Sequence, residues 1–333
     1  MTRKQCPYAY DDITSVENLL SAWQEFIRGK RNKPDVQQFQ WRLMDNILAL
    51  HRDLKSQTYR HGAYHAFKIS DPKPRDIHKA SVRDRLVHHA IHRVLYQFFD
   101  HTFIDDSYSC RVNKGTHRAM NRLREYAYTV SQNHTRTCWV LKCDVKKFFA
   151  SIDQQTLFEI LACHIHDERT QALIMKVVRS FHSTTRGKGL PLGNLTSQLF
   201  VNIYMNEFDQ YVKHKLKTRY YIRYADDFVI LARKKSQLES LVPQIADFLE
   251  PYLKLTLHPR KVSIATFASG IDFLGWVHFP DHRVLRTSTR RRAVRNCAGM
   301  EAGDPVVRSY LGLSSHGRAR GLRNLIRELG KVA

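Results

Sequence analysis

Residues 220–232 read YYIRYADDFVILA, two β-rich runs of aromatic and aliphatic residues that meet at Ala225-Asp226-Asp227. The alternation and the polar break predict a hairpin. A turn between such strands ordinarily takes Asn-Gly or Asp-Gly, residues that accept the left-handed backbone. Two adjacent carboxylates there repel each other and raise the cost of folding unless a cation neutralises them. On this stretch alone, a solvated acidic turn and a cation site are both open.

Working outward, residues 137–149, TCWVLKCDVKKFF, begin as a second strand. Its period-two pattern puts Cys138, Val140, Lys142 and Asp144 on one face, with Trp139, Leu141 and Cys143 on the other. If this strand neighbours the hairpin, Asp144, Asp226 and Asp227 converge at one sheet edge. Three carboxylates, with a backbone carbonyl such as that of Val145, can hold two Mg²⁺ ions roughly 3.5–4 Å apart. One ion would lower the pKa of an attacking hydroxyl, and the other would stabilise a pyrophosphate leaving group.

The surrounding chain predicts a mixed helix-and-strand protein. Residues 14–60 carry apolar positions at three- and four-residue spacing and read as helical. Residues 64–78, YHAFKISDPKPRDIH, alternate around Pro72 and Pro74 and read as a hairpin. A helix is expected over 81–99, with Leu86, Ala90 and Val94 on one stripe. Asp153 is the expected N-cap of a further helix. The glycine-bearing loop RGKGLPLGN, residues 186–194, leads into a long helix with Phe200, Tyr204 and Phe208 stepping by four. Another helix spans about 235–252, and short strands are expected in LKLTLHPRKVSIA and GIDFLGWVHFP. After Pro280 the tail reads as helical and strongly basic.

Of 333 residues, 54 are Lys or Arg and 31 Asp or Glu, a formal net charge of +23. Such an excess is the footprint expected of a nucleic-acid binder, and its spread along the chain suggests a long positively lined channel; on charge alone a merely basic, soluble surface is equally open. With 43% hydrophobic residues, disorder by composition is excluded. No apolar run approaches the roughly 18 residues of a membrane span, and the start MTRKQCPYAYDD lacks the apolar core of a secretory signal. Six cysteines form no CxxC pair and are expected as reduced thiols in a cytoplasmic protein. Cys163, His164 and His166 read as belonging to a helix with surface histidines rather than to a metal site.

At this point the motifs carry a family resemblance. LKCDVKKFFASID, GLPLGNLTSQLFVNIYMNEFD, YADD, LKLTLHPRKVSI and GIDFLGW succeed one another as the palm motifs of reverse transcriptases do. Upstream, SDPKPRDIHKASVRDRLVHHAI and SYSCRVNKGTHRAM resemble the fingers motifs of bacterial reverse transcriptases. The likeness covers roughly residues 15–330. Where most members have a QGxxxSP pattern, this chain has LGNLTSQ, with Leu192 in place of Gln and Gln198 in place of Pro. That variant resembles the enzymes of diversity-generating retroelements, which copy a template-repeat RNA and misincorporate opposite its adenines. No maturase or endonuclease domain is expected to follow the short tail, an expectation that weighs against a full group II intron protein. Retron and phage-defence reverse transcriptases are the alternative. An RNA-binding protein that no longer polymerises would be expected to lack the three carboxylates.

The resemblance implies an α+β right-hand polymerase: an N-terminal extension and fingers over 1–136, a palm with an antiparallel sheet over 137–280 (165–192 partly fingers), and a small helical thumb over 281–333. Asp144, Asp226 and Asp227 would be the catalytic carboxylates and, with Val145, the ligands of two Mg²⁺ ions. Lys73 and Arg75 would bind the incoming triphosphate, Arg by a bidentate contact. Phe149 would be the steric gate against a ribose 2′-hydroxyl, and Gly193 would let the backbone approach the nucleotide. Lys261 would donate a proton to pyrophosphate. Leu192 supplies only apolar contact where Gln would hydrogen-bond, a basis for low fidelity. Arg290, Arg291, Arg292, Arg318, Arg320 and Arg323 would contact the phosphate backbone. Phe273 and Trp276 resemble a primer-grip strand, although ordinary core aromatics read the same way. Implied partners are template RNA, primer or cDNA, dNTPs and an oligomeric accessory protein of the retroelement.

Overall fold

The protein, described here by a computed structural model covering residues 4–70, 74–301 and 303–329, combines helices with antiparallel sheets. Its chain forms two compact units, and neither is a continuous stretch. The first takes residues up to 105, 145–216 and 245–257; the second takes 106–144, 217–244 and everything from 258 onward. Among the described residues, no helix is long and apolar enough to cross a membrane.

In the first unit, local signals set the helix starts. The Ser15 hydroxyl accepts the Asn18 amide at the head of Val16–Phe26, and the Ser81 hydroxyl accepts that of Asp84 at the head of Val82–Phe99. Asp153 caps Gln154–Ala162 as predicted, accepting the Thr156 amide at 2.9 Å. Of the two helical runs expected within 14–60, SVENLLSAWQEFIRG forms Val16–Phe26, and QQFQWRLMDNILALHRDLKSQ is split: Pro34 starts Pro34–Trp41, and Leu43–Lys55 follows after a kink at Arg42. Helices Val16–Phe26 and Leu195–Gln210 both pack on Val82–Phe99, whose Leu86, Ala90 and Val94 are buried. The stripe of Leu199, Phe200, Ile203, Tyr204 and Phe208 is buried as expected. Val201, Asn202, Met205 and Asp209 are buried too, so Leu195–Gln210 is enclosed on every side rather than amphipathic. Strand β1, His65–Ile69, pairs antiparallel with β2, Arg75–Lys79, giving the predicted hairpin.

His164 departs from expectation. It lies beyond the end of Gln154–Ala162, buried against the Phe98 and Phe99 rings, with Nδ1 2.8 Å from the Lys4 carbonyl. It is a core histidine and not a surface one.

In the second unit, β3 (Trp139–Asp144), β4 (Tyr221–Tyr224), β5 (Asp227–Ala232) and β6 (Ser263–Thr266) form an antiparallel sheet in the order β4-β5-β3-β6. Val140, Ile222, Val229 and Leu231 pack with Ala119, Leu123 and Ala127 of helix Thr116–Val130. Leu141 and Cys143 are buried as well, so both faces of β3 are covered. Strands β7 (Ile271–Phe273), β8 (Trp276–His278) and β9 (Arg283–Leu285) make a second antiparallel sheet. One expectation needs correction: strand β9 occupies the start of the tail read as wholly helical, held by Trp276↔Leu285 pairing. In LKLTLHPRKVSIA the expected strand is Ser263–Thr266, and Leu257 adds an isolated antiparallel bridge to Val145.

Helices Thr287–Cys297, Pro305–Ser314 and Arg320–Leu329 enclose a small core of Ala293, Cys297, Val307, Ala319, Leu322 and Ile326. Gly317 lies against the fully buried Trp276, where a Cβ would overlap the indole ring and the Arg283 carbonyl. Gly317→Ala is therefore expected to destabilise the second unit by roughly 2 kcal/mol, read as a lowered melting temperature.

Candidate active site

The turn carrying the paired carboxylates is built by register. Tyr224 faces Asp227 across the hairpin, so Ala225 and Asp226 form a two-residue loop. Ala225 takes a left-handed conformation at φ +55°, unusual for a residue with a side chain. Asp227, the first residue of β5, also faces Asp144, the last residue of β3. The sequence-predicted convergence of the two strands is thus present within the second unit.

Two lysines sit on these carboxylates. Lys261 Nζ donates to Asp144 Oδ1 at 2.8 Å. Lys142, two residues before Asp144 on the same face of β3, places Nζ 3.8 Å from Asp227 Oδ2 and donates to the Asp272 carbonyl at 2.5 Å. Lys142 was not singled out from the sequence; its parity with Asp144 was the available signal. Asp227 Oδ1 is sealed from solvent with no hydrogen-bond partner. Burial, opposed by Lys142 and reinforced by Asp226, Asp144 and Asp272, pushes the Asp227 carboxyl up to about 7. Among the described residues, no three His, Cys, Asp or Glu side chains draw together as a ready metal cluster. An orphaned carboxylate oxygen beside like charges nonetheless fits a divalent cation: the donors are acidic oxygens, and the positive charge present comes from lysines.

Of the residues tied by resemblance to the nucleotide, Arg75, Phe149, Leu192 and Gly193 belong to the first unit, as does Val145, which bridges Leu257, whereas Lys261 belongs to the second. Arg75 is exposed at the start of β2, and Lys73 lies outside the described residues. The hairpin is stitched to the following loop: the His78 amide donates to the Leu192 carbonyl at 3.3 Å, and Asn194 Nδ2 to the His78 carbonyl at 3.0 Å. Gly193 has φ +99°, a conformation that favours glycine, and a Cβ there would stand 3.1 Å from the Ile77 Cγ2 methyl, which would have to shift slightly to admit it. The Leu190 amide donates to the Phe149 carbonyl at 2.9 Å. Phe148 is buried, whereas Phe149 is half-buried, which separates the core ring from its neighbour.

In the second unit, Arg290, Arg291, Arg318 and Arg320 are exposed, and Arg323 is half-buried. Arg292 is half-buried and donates to the Tyr310 hydroxyl at 3.3 Å. Phe273 and Trp276 are both buried in the core. All six cysteines are free.

Residues 68–278 match the family described as Reverse transcriptase (RNA-dependent DNA polymerase). The chain is similar to Protein YkfC of Escherichia coli (strain K12), 27% identical over 263 residues, which are 68% of this chain and 67% of that protein. It is similar to the Group II intron-encoded protein LtrA of Lactococcus lactis subsp. cremoris, 23% identical over 295 residues, 68% of this chain and 47% of that one. The Putative COX1/OXI3 intron 2 protein of Saccharomyces cerevisiae (strain ATCC 204508 / S288c) is 20% identical over 324 residues, 74% of this chain and 37% of that one. The chain therefore spans two thirds of the first relative and under half of the other two.

Proposed function

Because the chain belongs to the reverse transcriptase family and is an RNA-directed DNA polymerase, we propose that Asp144, Asp226 and Asp227 are its catalytic carboxylates. The observation that carries this reading is the register pair Asp144–Asp227, with the buried, unpartnered Asp227 Oδ1 beside the acidic turn. These side chains, with the Val145 carbonyl, are the proposed ligands of two Mg²⁺ ions. When bound, the ions activate the primer 3′-hydroxyl and stabilise the pyrophosphate that leaves. Lys142 and Lys261 hold the carboxylates in place by charge. Lys261, once released from Asp144, is the proposed proton donor to pyrophosphate. Lys73 and Arg75 bind the triphosphate, Phe149 excludes the 2′-hydroxyl, and Leu192 and Gly193 contact the nucleotide.

In this reading residues 1–136 are an N-terminal extension and fingers, 137–280 palm, with 165–192 partly fingers, and 281–333 thumb. The thumb arginines Arg290, Arg291, Arg292, Arg318, Arg320 and Arg323 hold the template–primer backbone by charge. The LGNLTSQ segment, residues 192–198, supports assignment to a diversity-generating retroelement that makes error-prone cDNA in a bacterial cytoplasm with an oligomeric accessory protein. Similarity to LtrA favours a second reading, an accurate intron-type enzyme.

Primer extension on an RNA template with dNTPs and Mg²⁺, beside an Asp226→Ala control, tests the chemistry; equal activity in the control removes it. Sequenced products separate the subtypes. Errors gathered at template adenines support the retroelement, and accurate copying assigns the chain to the intron, retron or phage-defence types. Leu192→Gln is expected to lower misincorporation at template adenines about fivefold, through one restored polar contact of about 1 kcal/mol. An unchanged error frequency would end that explanation.

A further inference from the structure

The turn that presents Asp226 and Asp227 is gripped from beneath by a side chain to which neither motif nor family match gave a role. Arg223, in β4, is completely buried, at 0% exposure. Its guanidinium forks: Nη1 donates to the Ala225 carbonyl at 3.1 Å, and Nη2 to the Ser107 hydroxyl at 3.0 Å. The residue it grips is the left-handed Ala225, the corner of the two-residue loop. An L-residue with a Cβ leaves that conformation readily when nothing holds it.

The grip is anchored. Ser107 bridges Arg223 in a parallel pairing, with the Arg223 amide donating to the Asp106 carbonyl and the Tyr108 amide to the Arg223 carbonyl, both at 3.0 Å. The buried Asp106 carboxylate in turn accepts Arg122 Nε at 2.9 Å and the Tyr126 hydroxyl at 2.5 Å, both from helix Thr116–Val130. The same helix reaches the turn's flank, where Thr116 Oγ1 donates to the Tyr224 hydroxyl at 3.2 Å. A rigid helix is thereby connected, through Asp106, Ser107 and Arg223, to the backbone immediately before the paired carboxylates.

We propose that Arg223 is a positioning residue that presets the Asp226–Asp227 turn by holding Ala225 in its left-handed conformation. The inference rests on the reading of those carboxylates as catalytic. Packing alone does not call for a guanidinium, since an unbranched apolar chain fills similar core volume. What the guanidinium adds is two donors at fixed angles, one on the turn and one on the anchor. A lysine ammonium, a single point donor group, does not reproduce that fork.

The test is a cycle of Arg223→Met, Ala225→Gly and the double variant, with Arg223→Lys beside them, assayed on a saturating RNA template and primer. Arg223→Met is expected to lower kcat on the order of 10²-fold with KM for dNTP within about twofold, because the carboxylates rather than the nucleotide site are displaced. Arg223→Lys is expected to recover only part of that loss. Glycine enters the left-handed region without a Cβ penalty, so adding Ala225→Gly to Arg223→Met is expected to raise kcat at least about fivefold.

Mn²⁺ affinity, read by electron paramagnetic resonance without nucleic acid, is expected to weaken in Arg223→Met and to recover in the double variant. A lowered melting temperature with unchanged kcat and Mn²⁺ affinity would make the residue merely structural and overturn the proposal. So would a loss confined to KM, or a double variant no better than Arg223→Met. If instead Asp226→Ala polymerises like the parent chain, it is the reading of the site that fails, and the Arg223 cycle still reports whether the turn is held.

Discussion

Asp227→Asn is expected to cut primer extension on the order of 10³-fold or more while making the metal-free protein melt higher, by roughly 2–4 °C at pH 8. The two effects have one cause. Asp227 keeps an oxygen buried without a partner and shares its surroundings with Asp226, Asp144 and Asp272, so its charged form is costly in the fold. An amide of the same shape removes the charge and the repulsion, and with them the ability to hold a cation.

The sign follows from linkage. A carboxyl whose folded pKa is raised to about 7 contributes its full stability below the ordinary carboxylate range and loses it as pH climbs towards 7. The melting temperature of the metal-free parent should therefore fall relative to Asp227→Asn between about pH 4 and pH 7, with the gap level above that. Mg²⁺ should narrow the gap by stabilising only the parent. Parallel pH curves for the two proteins would refute the account.

Asp84→Ala is expected to destabilise the first unit by about 3 kcal/mol, on the order of 10 °C in melting temperature. Asp84 is buried and accepts the Tyr59 hydroxyl at 2.7 Å, the Ser81 hydroxyl at 2.6 Å and the Gly62 amide at 3.1 Å. Its own amide donates to the Ser81 hydroxyl, so the residue also closes the N-cap of Val82–Phe99. Alanine strands the buried Tyr59 hydroxyl with its desolvation penalty and removes the carboxylate that the Ser81 hydroxyl and the Gly62 amide share at the surface. Asp84→Asn preserves acceptor geometry at one oxygen and should lose less than half as much. Thermal melts of the two variants check the ranking; equal losses would mean that the carboxylate's hydrogen bonds do not set the cost.

What the sequence disclosed depended on how local the signal was. Asp153 and Ser81 act within one turn of their own helices, and the 220–232 hairpin announces itself by alternation around an acidic break. The Asp144–Asp227 approach was legible for the same reason, since both lie at ends of strongly β-forming runs. Three residues of β9 carry no periodicity, and their strand character comes from β8 alone. His164 looked like one polar residue in a histidine-rich stretch; only the fold brings Phe98 and Phe99 against it. Arg223 was invisible because a basic residue in a strand ordinarily faces water. The all-round burial of Leu195–Gln210, including Asn202 and Asp209, likewise comes from packing that no stripe encodes.

The interleaving of the two units also shapes the molecule's history. The first unit lacks its final segment until residue 257 is made, 152 residues after its opening stretch ends at 105. At roughly 5–20 residues per second, that is a wait of roughly 8–30 s on the ribosome. Its N-terminal helices must persist in a half-built state throughout, exposed to mispairing or to chaperones. For the same reason, no single cut or crossover between genes can lift either unit out intact. Exchange between related chains would have to replace three segments at once, so the two units are inherited together.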